Sequence, residues 1–481
     1  MRPTHLISAL ALAVVANGFS AAPKAAAQNT PRPNIIYVLA DDLGWKDVGF
    51  HGSDIKTPNI DRLAQTGARL EQFYVEPMCT PTRAALMTGR YPLRYGLQTL
   101  VIPASMSYGL PTDEWLLPQA LKAAGYTTAL IGKWHLGHSE RKFWPTARGF
   151  DYHYGALLGE IDYFTHKIKG RTDWYRNGKV VEEQGYATTL LGDDAVRFID
   201  RQNSTKPFFL YLAFTAAHTP FQAPQKYLDM YKNISDQNRR AYAAIITAMD
   251  DEIGKVVQQL EKRGMRENTV IIFHSDNGGN RSAHLGGETE VTGPLPADNG
   301  PYRGGKGDLY EGGTRVASLI NWPGRIKPGI NNQLMHVVDY YPTLVKLAGG
   351  SLDKSKTLDG VDMWQTLSEG APSPRKEIVY NIEIFRGAVR EGNWKLFWRA
   401  TLPSKVELFD LAQDPSEKND VADQNAEKVR ELRNRINDLG GGMAKSLLLE
   451  EIFKGVLKQA HGQPPALPNE DSFYEGDLSG D

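Results

Sequence analysis

The sequence predicts an α/β protein: a large mixed, mostly parallel sheet sandwiched by helices, followed by a smaller C-terminal antiparallel sheet with a helix. Three features predict it. Short runs that are apolar throughout, rather than alternating, recur along most of the chain, as strands buried on both faces require. Stretches with helical apolar spacing lie between them, the alternation of a doubly covered parallel sheet. Past residue 375 the pattern changes to β-rich runs joined by short turns, then a polar helical stretch.

Asn34-Ile-Ile-Tyr-Val-Leu-Ala40 reads as the first strand and ends at Asp41-Asp42; Asn59 to Gly67 reads as the helix after it. In Met78-Cys79-Thr80-Pro81-Thr82-Arg83, Thr80 suits a cap and Pro81 the first helical position. Gly89 suits the stop, so Cys79 is expected just before a helix N-terminus. Leu117 to Gly125 is helical, and Thr127 to Ile131 is a strand ending at Gly132-Lys133-Trp134-His135. A helix from Thr188 to Arg201 precedes the strand Pro207 to Phe214, which runs on to His218. A long helix from Asn238 to Gly264 precedes the strand Thr269 to Phe273, which ends at Asp276-Asn277. In open parallel sheets ligands bind outside the carboxyl ends of the strands. Four strands here deliver charged or imidazole groups to that edge. His274, inside the last of them, reads as structural.

The expected organisation is a catalytic domain over 28–375, a small α+β subdomain over 376–460 and a flexible tail over 461–481. The subdomain begins after Gly370-Ala-Pro-Ser-Pro374. It holds a strand Glu377 to Ile382, a hairpin Ala388 to Trp398 turning at Glu391-Gly392-Asn393, a strand Glu407 to Asp410 and a helix Ala426 to Leu439. At the other end, Arg2 and His5 precede the apolar run Leu6 to Phe19 and the small residues Ala25-Ala26-Ala27. This predicts a secretory signal over 1–27, too short to span a bilayer, and a periplasmic or secreted mature protein. Lys and Arg number 55 against 56 Asp and Glu, a balance that points to neither nucleic acid nor a membrane surface as partner. Cys79 is the single cysteine, so no internal disulfide is possible.

Asp41, Asp42, Asp276 and Asn277 together offer an all-oxygen set suited to Ca²⁺ or Mg²⁺ rather than zinc, although each pair alone also reads as an ordinary strand-end turn. Calcium suits an extracytoplasmic site with this many protein oxygens. Lys133, His135 and His218 follow buried strands, where a solvated cap for the lysine and an ordinary satisfied polar residue for each histidine are the plain alternatives. Lys306 lies in the glycine-dense run Tyr302 to Gly313, shaped around a ligand or simply flexible. Cys79, at a positive helix end with Arg83 one turn in, presents a thiol, or something made from it, to an anion.

Cys79-Thr-Pro81-Thr-Arg83 matches the C-x-P-x-R signature of type I sulfatases, and Leu86-Met-Thr-Gly89-Arg90 fits its extension. With Asp41-Asp42, Gly132-Lys133-Trp-His135-Leu-Gly137, His218, Asp276-Asn277-Gly278 and Lys306, the chain resembles that family of the alkaline phosphatase superfamily from about Pro33 to the C-terminal hairpin. Within it, Gly44 to Ser53, Arg148 to Tyr152, Leu358 to Trp364 and Ser368 to Arg375 are most similar to the N-acetylgalactosamine-4-sulfatase (arylsulfatase B) branch. The missing disulfide cysteines point to a bacterial member.

The resemblance implies an alkaline phosphatase/sulfatase-like fold and a Cys79 oxidised by a formylglycine-generating maturation enzyme. The hydrate of that formylglycine attacks sulfur in line and displaces a sugar alcohol. One Ca²⁺ would be held by Asp41, Asp42, Asp276 and Asn277. Arg83 and Lys133 would hold the formylglycine and the sulfate. His218 and Lys306 would contact sulfate, one of them protonating the leaving oxygen; Asp276 would serve as base for attack, and His135 would deprotonate the second hydroxyl. The expected substrate is a sulfated oligo- or polysaccharide, attacked in exo fashion at a galactose- or N-acetylgalactosamine-type sugar. Glu160, Asp162, Tyr163, His166 and the loop 281–302 are expected to line the sugar pocket. The competing readings are a phosphonate or phosphate monoester hydrolase of the same superfamily and an unmatured carbohydrate-binding protein. Against the zinc phosphatases stands the lack of their dense His/Asp metal set.

Overall fold

The computed structural model describes residues 32–203, 205–282 and 295–460. The signal segment 1–27, most of the 281–302 loop and the tail 461–481 lie outside the described residues. Five strands at the centre of a ten-stranded sheet are mutually parallel, in the spatial order Thr269–Ser275, Asn34–Ala40, Phe208–Ala213, Thr127–Gly132 and Tyr152–Gly155. Antiparallel strands complete both flanks, with Ser318–Asn321 beside Thr269–Ser275 and Tyr175–Arg176 beside Tyr152–Gly155. The Asn34–Ala40, Phe208–Ala213 and Thr269–Ser275 strands are buried at every position, which is why their sequences are continuously apolar.

Register carries the functional consequence. Ala40 pairs with Ser275, Leu39 with Ala213, and Ala213 with Gly132. The segments that follow, opening at Asp41, Asp276 and Lys133, therefore leave the sheet at nearly one level. Alternate residues of the first strand feed opposite cores: Ile35, Tyr37 and Leu39 pack with Ala84, Leu86 and Leu121, while Ile36, Val38 and Ala40 pack with Leu63, Leu191 and Ile245. The covering helices include Pro58–Thr66, Leu117–Ala123, Ala187–Asp200 and Gln237–Lys262, each within two residues of its expected bounds.

The helix after Met78 differs in its start. It runs Cys79–Thr88, with Met78 as the extended N-cap, so Cys79 is the first helical residue rather than the one before the cap. The Thr82 N–H bonds to the Met78 carbonyl at 3.1 Å and closes this earlier turn. Pro81 still falls in the first turn, where its missing N–H is not needed. Thr80 makes long-range bonds instead of a cap. Its hydroxyl donates to the His135 carbonyl at 3.0 Å and accepts from the Ile102 N–H at 3.2 Å. Gly89 ends the helix at φ +68°, as expected.

Glu377–Ile382, Arg386–Glu391, Trp394–Arg399 and Lys405–Asp410 form the second, antiparallel sheet, with a two-residue turn at Gly392-Asn393. Helix Ala426–Gly441 lays Leu432 and Ile436 on it. A further helix, Leu447–Ala460, was not expected from the sequence pattern; the Leu447 N–H bonds to the Gly96 carbonyl at 2.9 Å, so it is docked on the segment that follows the Cys79–Thr88 helix. One continuous core holds Ile35 and Tyr37 together with Ile382, Leu396 and Leu408. No helix among the described residues is long and apolar enough to cross a membrane.

The C-terminal sheet is tied to segments 73–74 and 311–314 by a buried polar cluster. Lys395 Nζ sits 3.1 Å from Glu311 and 2.8 Å from Glu417, and the hydroxyls of Tyr74 and Tyr380 donate to Glu311 at 2.7 and 2.6 Å. Burial pushes Glu417 up, while at Glu311 the push of burial is overcome by Lys395, Arg315 and Arg390, which hold that carboxyl low. Lys395→Met leaves Glu417 buried without its cation and takes the nearest cation from Glu311, and urea unfolding should register a loss of roughly 3–5 kcal/mol. Gly132 sits at φ +120°, and a Cβ there would fall 1.8 Å from the Ala213 carbonyl oxygen. Gly132→Ala should therefore lower stability by roughly 2–4 kcal/mol in the same measurement; a change within ~0.5 kcal/mol would show the strand end to be slack.

Candidate active site

At the carboxyl edge of the parallel strands, three buried carboxylates and three buried cations are interleaved. Lys133 Nζ lies 2.6 Å from Asp41 Oδ2. Arg83 donates through Nε and Nη2 to Asp276 Oδ2 at 3.1 and 2.8 Å, and through Nη1 to the Lys133 carbonyl at 3.1 Å. Lys306 Nζ lies 2.8 Å from Asp42 Oδ2. Cys79 Sγ is 3.4 Å from Asp41 Oδ1, so the sulfur is at the centre of this set. Asp41 and Asp42 follow one strand, Lys133 a second and Asp276 a third, while Cys79 and Arg83 share the first turns of one helix and Lys306 comes from a loop.

That loop is strapped down by backbone. The Lys306 N–H bonds to the Gly279 carbonyl at 3.2 Å, the Gly307 N–H to Pro77 at 2.8 Å, and the Gly278 N–H to Gly313 at 2.9 Å. A Cβ on Gly278 would fall 1.8 Å from the Gly312 oxygen, so the glycine density serves close approach of two loops. From the other side Arg386 Nη1 donates to the Gly307 carbonyl at 2.7 Å.

The four oxygen-bearing residues pass a simple test as a cation site. Ligand atoms of Asp41, Asp42, Asp276 and Cys79 lie within 4.8 Å of one another. The Asn277 amide donates to Asp42 Oδ1 at 2.8 Å and to the Gly278 carbonyl at 2.9 Å, yet its buried Oδ1 has no hydrogen-bond partner. A buried carbonyl oxygen without a donor beside three carboxylates is what a hard cation would satisfy. Asp42 is held in the left-handed region at φ +59°, with its own N–H on Asp276 Oδ1 at 3.3 Å. The Asp41 carboxyl is pushed up by burial but brought below its usual range by the cations beside it, Lys133 and Arg83. Burial, followed by Asp276, pushes the Cys79 thiol well up, so as a thiol it stays protonated.

The two histidines differ in which nitrogen carries the proton. His218 Nδ1 lies 2.8 Å from the Thr219 carbonyl, which can only accept, so Nδ1 is the N–H and Nε2 the lone pair. Lys306 Nζ then donates to that Nε2 at 3.1 Å. His135 Nε2 faces the Ile102 carbonyl at 3.3 Å, leaving Nδ1 as the lone pair, buried and without a partner. Burial, then Lys133 and Arg83, hold His135 well below its ordinary pKa, so it is a neutral base. Gly159 packs flat on its ring; a Cβ there would meet Cε1 at 2.6 Å.

A cavity of about 260 Å³ opens above Cys79, with His135, His218 and Lys306 in its wall. Of the residues expected to line a sugar pocket, Glu160 borders this cavity, but Asp162, Tyr163 and His166 do not. Asp162 accepts from the N–H groups of Phe164 and Thr165 and from Gln222, making a turn. Tyr163 is buried and donates to the Thr215 and His218 carbonyls at 2.7 and 2.9 Å, so it supports the histidine from beneath. His166 stacks on Trp174 and bonds to the Gly185 carbonyl. The apolar wall Leu100 to Ala104 was not expected from the sequence; its one outward signal is an apolar run in a non-regular segment, with Leu100 45% exposed. Nor was Tyr242, whose hydroxyl bonds to the Asp42 carbonyl at 3.2 Å and the Gly44 N–H at 3.0 Å, a contact with no local sequence signature.

This geometry has relatives. The family model Sulfatase matches residues 33–351, and the model N-sulphoglucosamine sulphohydrolase, C-terminal, matches 305–440. Arylsulfatase J of Mus musculus is 39% identical over 399 residues, covering 80% of this chain and 64% of its own, so this chain spans less than two thirds of that relative. N-acetylgalactosamine-6-sulfatase of Homo sapiens is 34% identical over 391 residues, covering 77% and 72%. The solved structure of Ps i-CgsB in complex with k-i-k-neocarrahexaose matches with a TM-score of 0.80 at 34% identity, covering 92% of this chain and 100% of that one. A family match over more than half its length, joined to a cysteine ringed by interleaved carboxylates and cations, establishes that this chain belongs to the sulfatase family.

Proposed function

We propose that this protein is a sulfuric ester hydrolase that removes sulfate from a sulfated carbohydrate, with an oxidised Cys79 and one calcium ion in its working site. The observation that carries the reading is the ring of Arg83, Lys133, Lys306 and His218 about Cys79 at the floor of the cavity. A sulfate ester repels nucleophiles by its own charge, and preorganised cations offset that charge as it builds toward the leaving oxygen.

Asp41, Asp42, Asp276 and Asn277 would hold the calcium ion, which when bound supplies Lewis-acid polarisation of a sulfate oxygen. Cys79, once oxidised to formylglycine by a maturation enzyme, supplies the hydrate hydroxyl that attacks sulfur. Arg83 neutralises Asp276 and anchors the helix start against the Lys133 carbonyl. The Lys306 ammonium and His218 Nε2, 3.1 Å apart, share a proton at the cavity wall and are placed to hand it to the departing sugar oxygen. His135 Nδ1 is the unoccupied base for the return step that renews the aldehyde. The names of the relatives favour a galactose-configured sugar, and residues 1–27 favour export to the periplasm or beyond.

Protein from a host that carries out the maturation should release sulfate from sugar sulfates, and Cys79→Ala should reduce this to background while the melting temperature stays within ~2 °C. The tryptic peptide across Cys79 should show CHO in place of CH₂SH. An unmodified thiol in an active enzyme, or a strong preference for phosphate esters, would sink the proposal. Chelation with EGTA should lower the melting temperature by at least ~2 °C along with activity. Calcium should restore both, and an unaltered melting curve and rate would argue that no cation is held there.

A further inference from the structure

Beside the reaction cavity lies a second, smaller recess of about 60 Å³, and the two share Ala104, Leu158 and Ile168 as a common wall. Their chemistry differs. Away from the sulfate-binding floor, the first presents the apolar Leu100–Ala104 wall and Glu160. The second is bordered by Lys169, Arg171 and His138, with Trp144 and Tyr175 meeting edge to face at 5.2 Å. Resting on the sulfatase reading above, we propose that this recess is a second subsite, which takes the anionic group of the sugar next to the one being desulfated.

The two cations are presented by a tight hairpin. Ile168 pairs with Arg171, and the turn between them holds Lys169 and Gly170 at φ +48° and +79°, the geometry of a two-residue hairpin turn. Lys169 and Arg171 are therefore set at the rim by backbone pairing. The one carboxylate of the recess, Asp173, is spent on the N–H groups of Leu157 and Leu158 at 3.2 and 2.8 Å. Burial also pushes its pKa to about 7. The volume suits a sulfate or carboxylate rather than a whole pyranose ring, and the aromatic edges suit the C–H face of the ring that carries it. A substrate filling both cavities spans at least two sugar residues.

The test is calorimetric titration of full-length Cys79→Ala protein, which cannot turn substrate over. The ligands are galactose 4-sulfate, N-acetylgalactosamine 4-sulfate, a multiply sulfated galactan hexasaccharide and a chondroitin 4-sulfate hexasaccharide. At least one hexasaccharide should bind ~10-fold or more tightly than its monosaccharide. The galactan gaining the margin identifies a neighbouring sulfate, and the chondroitin a neighbouring carboxylate. Lys169→Glu, at an exposed position that tolerates change, and Arg171→Ala should each remove most of that margin while the monosaccharide affinity moves less than ~2-fold. No margin in either pair, or equal losses for hexasaccharide and monosaccharide in both variants, overturns the subsite. Failure of the sulfatase reading shows separately, as absence of sulfate release from all four ligands by the matured wild-type enzyme.

Discussion

The structure depends on the pairing of opposite charges at the carboxyl edge of the parallel sheet. Asp41, Asp42 and Asp276 are taken almost wholly out of water, which is tolerable only because Lys133, Lys306 and Arg83 meet them at 2.6 to 2.8 Å. Removing any one member strips a buried partner of its nearest opposite charge. The same pairing gives the proposed chemistry its starting point, since a cation entering among the carboxylates and a sulfate entering among the ammonium groups arrive as a matched pair and leave the total charge nearly balanced. Asn277 Oδ1 and His135 Nδ1, buried without hydrogen-bond partners, are places where the resting site is incomplete.

Positioning reaches beyond the sheet. The Lys306 loop belongs to no strand and is held between the turn after Asp276 and the C-terminal sheet, through Arg386 to Gly307 and through Glu417 to the Glu311 N–H at 2.6 Å. The C-terminal sheet is thus part of the site's scaffold rather than an appendage, consistent with the single core it shares with the larger sheet. Beneath the site, tyrosine hydroxyls play a parallel role. Tyr163 fixes the backbone at His218, and Tyr242 fixes the backbone at the left-handed Asp42.

Much of this was legible in the chain. Continuous apolar runs ending in charge identified four of the five central parallel strands, because strands buried on both faces have no polar face to show; Tyr152–Gly155, short and half polar, was not expected, and the edge where the carboxyl ends meet follows from parallel topology. The motif around Cys79 and the residues at the strand ends named the floor of the site. The helix start moved by a few residues because Thr80 makes long-range bonds to His135 and Ile102 instead of a local cap. The sugar-facing residues were less legible. In Glu160-Ile161-Asp162-Tyr163 one residue borders the cavity and the others turn inward, and polarity alone does not tell a side chain that meets a ligand from one that supports a neighbouring backbone.

The sequence by itself determined the mostly parallel sheet, the place of the single cysteine at a helix start and the charged groups expected around it, since each is written in local pattern and motif. Only the tertiary structure decided which carboxylate meets which cation, which nitrogen of each histidine carries the proton, and how the hairpin 167–172 meets the wall of the reaction cavity. Those outcomes depend on strand register, on carbonyl partners such as Ile102 and Thr219, and on loops brought together from distant parts of the chain, none of which leaves a periodic or local trace.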